Sequence, residues 1–280
     1  MIETILQNPV FIISFIAALL FTGAIAGILA GLLGVGGGIV IVPVLFLLFP
    51  LLGVGEDVTM HLAVGTSLAT IIPTSIMSAR AHYKRGGVDV DLLKSWAPAI
   101  FLGAIIGGYL GGSAEGSVLT LIFAVIAIVV AANMAFRKEG YSLADSLPTG
   151  FLRSVMGVFI GGFSVVMGIG GGTLSVPILT LFSYPVRRAV GTASAIGLII
   201  ALPGTITFIL SGHGVPNLPW GSFGYLNILG FLSIVPATMI TAPIGAKIAH
   251  SIDPSRLRLA FAFFLFLTSM RMLYVVFWGV

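Results

Sequence analysis

Two short glycine-rich stretches are the residues of this chain best suited to chemistry. The first runs from Gly34 to Pro43 (GVGGGIVIVP) and holds Gly36, Gly37 and Gly38; the second runs from Gly168 to Pro177 (GIGGGTLSVP) and holds Gly170, Gly171, Gly172 and Thr173. Glycine costs a helix roughly 1 kcal/mol relative to alanine, so three in a row predict a break in an otherwise apolar helical run. Glycine also lets the backbone come close to a ligand. Each break precedes a short apolar segment, 39–49 or 173–183. Read as half-helices, these turn free N–H groups and a partial positive charge toward the break. Two such ends meeting would make an anion site. Close packing of small residues is the competing explanation.

A second duplicated motif adds hydroxyls. Ala63 to Thr66 (AVGT) is followed by Ser67, and Ala189 to Thr192 (AVGT) by Ala193 and Ser194. Thr66, Ser67, Thr192 and Ser194 are candidate oxyanion donors, because a hydroxyl donates without a charge that is expensive to bury. The alternative is bonding back to their own helix carbonyls. Ionisable groups are scarce inside the apolar runs. No Asp or Glu lies deep in one, which argues against a carboxylate proton relay or a metal site. Arg271 lies in the last run and either snorkels to the interface or faces the pathway as a counter-charge. His61, His213 and His250 fall at segment boundaries. Cysteine is absent, and no nucleophile–base pairing, HExxH or nucleotide-binding motif is present. The chain is therefore read as no enzyme, with no metal or cofactor and no ATP-driven pump.

The elements that must position these residues follow from composition. Of 280 residues, 58% are hydrophobic and 8% charged, against about 25% charged in soluble domains. Mean hydropathy is +1.17. A water-soluble fold is excluded, and long unbroken runs argue against a membrane barrel. Net charge of +4, spread over loops, gives no nucleic-acid signal. Apolar runs predict helices over 10–33, 39–49, 61–80, 95–111, 117–136, 150–167, 173–183, 189–210, 224–249 and 257–277. The paired motifs, with Pro98-Ala99 and Ile106-Gly107 matching Pro236-Ala237 and Ile244-Gly245 in the same order, indicate a duplication. The expected organisation is a first membrane repeat at 1–140, a cytoplasmic linker at 141–149 and a second repeat at 150–280.

Loop charge orients the repeats. If each opening pair, 10–49 and 150–183, leaves on the side it entered, the loops carrying Arg80 to Lys94, Arg137 to Arg153, Arg187–Arg188 and Lys247 to Arg258 all fall inside, as membrane proteins prefer. Each half is then a re-entrant pair at a Gly-rich break plus three transmembrane helices, and the second half is inverted. The fold class expected is an all-α polytopic integral membrane protein with two inverted-topology repeats, an architecture of transporters whose site lies between the repeats.

At these motifs the chain resembles the TauE/SafE (sulfite exporter) family of membrane transporters. The resemblance spans nearly the whole chain and rests on the paired GxGGG…P and AVGT motifs. It implies movement of a small oxyanion, such as sulfite, sulfoacetate or another organosulfonate, across the cell inner membrane by a multi-pass protein. The second half departs from the first where Ala193-Ser194 stands opposite Ser67-Leu68. The residues and the resemblance together give an alternating-access secondary transporter. An anion channel, or a non-transporting assembly or lipid-handling protein, are the alternatives. Expected partners are the small anionic substrate and the lipid bilayer, with no nucleic acid.

Overall fold

The computed structural model describes residues 9–136, 143–216, 218–249 and 255–278. They form ten α-helices: α1 (Pro9–Leu33), α2 (Gly38–Leu48), α3 (Glu56–Tyr83), α4 (Val90–Ser113), α5 (Gly116–Phe136), α6 (Gly150–Val166), α7 (Gly172–Leu181), α8 (Val186–Ser211), α9 (Ile228–Ile248) and α10 (Ser255–Trp278). The protein is an all-α, multi-pass membrane protein. Among the described residues, six helices are long and apolar enough to cross a bilayer: Ile12–Leu33, Glu56–Tyr83, Val90–Ser113, Gly116–Phe136, Val186–Ser211 and Ile228–Ile248. At 1.5 Å per residue, α2 and α7 reach only about half of a roughly 30 Å core.

The helices outrun the apolar segments that announce them, because caps and dipoles set their ends. Glu56 and Asp57 occupy the first turn of α3 and Arg80 and His82 its last, the favourable sense for both ends of the dipole. Asp89 caps α4 through its side chain, which accepts from the Leu92 N–H at 3.0 Å. Residues 224–227, expected as the start of a helix, belong instead to a two-stranded ribbon, β1 (Ser222–Phe223) with β2 (Leu226–Asn227). Gly224 sits at φ +56° in its turn. Asn227 ends the ribbon by capping α9, accepting from the Gly230 N–H at 2.8 Å.

Packing crosses between the halves of the chain. The two most extensive helix interfaces are α1 with α9 and α4 with α6. Both are built on small residues that let backbones touch. On α1 the spacing Gly23, Gly27, Gly31 meets Ile234, Thr238 and Ala242 of α9, while Gly103 and Gly161 lie on the carbonyls of Val158 and Ile100. In lipid this is the main way helices hold one another. Each half thus lends its fourth helix to the other. The result is two interleaved groups, α1–α3 with α9 and α6–α8 with α4. They meet along α3 and α8, with α5 and α10 paired beside them.

Candidate functional site

The two glycine breaks meet each other. α2 starts at Gly38 and α7 at Gly172, and residues 34–38 and 168–172 are all buried. A Cβ on Gly36 would stand 2.9 Å from the Cα of Gly170, and one on Gly172 would collide with the carbonyl of Gly34. Gly36 also sits at φ +77°, which a side chain rarely tolerates. Beyond the first break the chain folds back on α1, since Gly37 packs on Ala26. The crossing therefore brings Gly36, Gly37, Gly38, Gly170, Gly171 and Gly172 to one buried place. The N-termini of both half-helices lie there, with first-turn N–H groups that have no partner inside their helices.

The AVGT threonines each accept a backbone N–H from a loop. Thr66 Oγ1 accepts the backbone N–H of Asn227 at 2.9 Å. Thr192 Oγ1 accepts that of Asp89, also at 2.9 Å. Each holds the capping residue of the helix lent by the other half. The glycine before each threonine makes room: a Cβ on Gly65 would strike the carbonyl of Tyr225, and one on Gly191 that of Gly87. Each carbonyl belongs to the residue two before the cap, so the two motifs dock equivalent loops in equivalent ways.

The Asp89 end of this arrangement is charged. Tyr184 donates to the Asp89 carboxylate, and Arg188 pairs with it at 3.1 Å. Burial pushes the Asp89 carboxyl up, but the Leu92 amide, the Tyr184 hydroxyl and the Arg188 charge outweigh it and hold it below its ordinary value. Burial and the bond to Asp89 push Tyr184 up, so it stays protonated and donates. Nothing in the sequence pattern marked Tyr184 or Asp89, which stand 95 residues apart.

The remaining hydroxyls divide. Ser67 Oγ donates to the Gly168 carbonyl at 2.7 Å and so touches the second break. Ser194 Oγ donates to the Val190 carbonyl of its own helix and lies 3.1 Å from Ser78 Oγ across the α3–α8 contact. Thr173 Oγ1 is buried in the first turn of α7 without a hydrogen-bond partner, as is Ser75 Oγ on α3. Ser75 was not singled out by sequence, since one serine in a helix rich in Ser and Thr carries no signal. Arg271 is exposed on α10, away from the crossing. Among the described residues, no three His, Asp or Glu side chains gather as a metal site would require.

This arrangement has relatives. The family model for the sulfite exporter TauE/SafE matches residues 19–272. A probable membrane transporter protein of Haemophilus influenzae is 35% identical, over 92% of this chain and 98% of its own length. One of Methanocaldococcus jannaschii is 29% identical over 86% of this chain and 89% of its own. The probable membrane transporter protein YunE of Bacillus subtilis is 27% identical over 91% and 96%. No solved structure matches.

Proposed function

The chain belongs to the sulfite exporter TauE/SafE family of membrane transporters, and on that premise we propose that it carries a small oxyanion, sulfite or an organosulfonate, across the cytoplasmic membrane by alternating access. The observation that carries this reading is the crossing of the two breaks. Each half-helix N-terminus is worth roughly half a positive charge, so two together offset about one negative charge. Backbone N–H groups at the glycine breaks serve as donors, and no buried lysine or arginine is needed. Thr66 and Thr192 position the lent helices, and Ser67 fixes the second break.

We read the packing as two copies of one five-helix unit related by a two-fold axis, the second inverted. The basic loops support this. Asp89, beside Lys84 and Arg85, meets Tyr184 and Arg188, and Trp96 donates to the Arg153 carbonyl. These stretches share one end of the molecule. The acidic loop at Asp57 lies beside Gly116 at the other. Because the crossing is buried from both ends, a gate that opens to each side in turn fits it better than an open pore.

The test is counterflow of labelled sulfite in proteoliposomes, with unlabelled sulfonates as competitors. Exchange that sulfonates inhibit, and that Gly37→Val and Gly171→Val lose while still melting cooperatively, is the expected result. A folded wild type that exchanges no anion of a broad panel would reject oxyanion transport.

A further inference from the structure

We propose that the charged head of the substrate is held at the second break alone, by the Ser75 and Thr173 hydroxyls and the N–H groups that open α7, and that this site takes a singly charged oxyanion. The proposal rests on the transport reading above and sharpens it.

Ser75 is the odd hydroxyl of α3. Ser67 donates to Gly168, Thr70 and Thr74 to carbonyls of their own helix, and Ser78 reaches Ser194. Ser75 Oγ has no partner, although the residue is 1% exposed. A serine in a helix ordinarily bonds back to its own backbone, and a buried polar group without a partner calls for an explanation. Thr173 presents the same anomaly at 4% exposure, in the first turn of α7.

Both hydroxyls belong to residues beside the second break, Ser75 across from it on α3 and Thr173 in the turn that leaves it. The point where a Cβ on Gly197 would stand is 2.5 Å from Ser75 Oγ and 3.6 Å from the Gly171 nitrogen. Glycine at 197 thus lets the Ser75 hydroxyl lie against α8 within reach of the Gly171 N–H at the start of α7. Thr173 follows two residues later on the same first turn. Hydroxyl and amide donors together are what an oxyanion accepts from.

The first break offers no such wall. The position matching Thr173 is Ile39. The α3 side chain beside Gly36 and Gly38 is Ile71, and Gly37 faces Ala26. Oxygen atoms are therefore satisfied on one side only. That orients the substrate, with its head toward α7 and any carbon group toward Ile39 and Ile71. Ser75 and Thr173 belong to different helix groups, so the head is gripped across the surface where the groups meet.

Charge follows from the donors. Among the described residues no Lys or Arg side chain is buried, so compensation comes from helix ends worth about one positive charge in total. A dianion would leave about one charge uncompensated in the interior, where ions are penalised most.

The experiment uses the full chain in proteoliposomes, with labelled sulfite and labelled methanesulfonate as exchanged anions and unlabelled methanesulfonate and sulfate as competitors. Melting in detergent is followed with and without methanesulfonate. Methanesulfonate should compete and sulfate should not. Ser75→Ala and Thr173→Val should each raise the half-inhibiting methanesulfonate concentration about ten-fold or more, with ligand-free melting temperature unchanged or higher. Gly197→Ala, whose methyl would displace the Ser75 hydroxyl without removing it, should lose competition as well. Thr120→Val, on the peripheral α5, should match the wild type. If the wild type exchanges and all three site variants match it, this site is wrong while the transport reading stands. Equal competition by sulfate overturns the charge assignment. A wild type that exchanges and binds neither anion removes the transport reading and this site with it.

Discussion

Thr66 and Thr192 do the same work in unequal surroundings. The Thr66–Asn227 bond is buried and the Thr192–Asp89 bond is partly exposed. Removing a hydroxyl strands an amide, and the penalty grows with burial, to about 1–3 kcal/mol for a buried group. Thr66→Val should therefore lower the melting temperature more than Thr192→Val. Counterflow per folded molecule should change little in either; a selective loss of exchange at full stability would instead make these hydroxyls substrate ligands. Asp89 adds a pH dependence. Its folded pKa lies below the ordinary 3.8, so the bonds it accepts contribute fully above that value and are lost as pH falls through the folded pKa. Melting temperature should hold from neutral pH to about pH 4 and then fall, and Asp89→Asn should lack the part of the fall due to this carboxylate. The AVGT motif was plain in the sequence because it is duplicated. Its role was hidden because the bonded partners lie 161 and 103 residues away, and spacing alone could not distinguish a donor to substrate from an acceptor for a loop.

At the scale of elements, the broken pairs test whether close approach or local conformation makes glycine necessary. Gly36 needs both, since it is left-handed at φ +77° and lies against Gly170. Gly172 is helical and is constrained by close approach alone, to the carbonyl of Gly34 and the nitrogen of Val35. Overpacking costs about 1–3 kcal/mol, and a left-handed non-glycine residue adds about 1–2 kcal/mol. Gly36→Ala and Gly172→Ala should thus both destabilise more than Gly111→Ala, where the nearest atom is a Phe208 ring carbon at 3.3 Å. Equal melting temperatures across the three would mean that the breaks do not touch. The half-helices were legible because eleven apolar residues between glycines and a polar loop are too short to cross. The ends of the long helices were less so. An apolar run stops at its last hydrophobic residue, whereas α3 and α4 start as early as Glu56 and Val90, with Glu56 and Asp57 in the first turn of the one and the Asp89 carboxylate accepting the Leu92 N–H of the other.

For the whole molecule, the lent helices decide which bodies can move. Two halves rocking as sequence repeats would have to part α1 from α9 and α4 from α6, the most extensive interfaces in the structure. The threonine bonds reinforce the same pairings, because Thr66 ties the start of α9 to α3 and Thr192 ties the start of α4 to α8. The paired motifs could be read from the sequence, but this exchange could not, since matching motifs say which segments are alike and nothing about what each packs against. Under the proposed alternating access, the units expected to move are therefore α1–α3 with α9, and α6–α8 with α4, sliding along α3 and α8. The chain has no cysteine, so paired cysteines can test this without background. Ser78→Cys with Ser194→Cys bridges the units at a point where the native oxygens are 3.1 Å apart. Gly23→Cys with Ala237→Cys joins α1 to α9 within one unit, where a Cβ on Gly23 would stand 3.1 Å from that of Ala237. Oxidation should arrest counterflow in the first pair and restore it on reduction, while the second pair exchanges alike in both states. Arrest by the second pair and not the first would place the moving surface between α1 and α9, and with it the sequence halves as the rocking bodies.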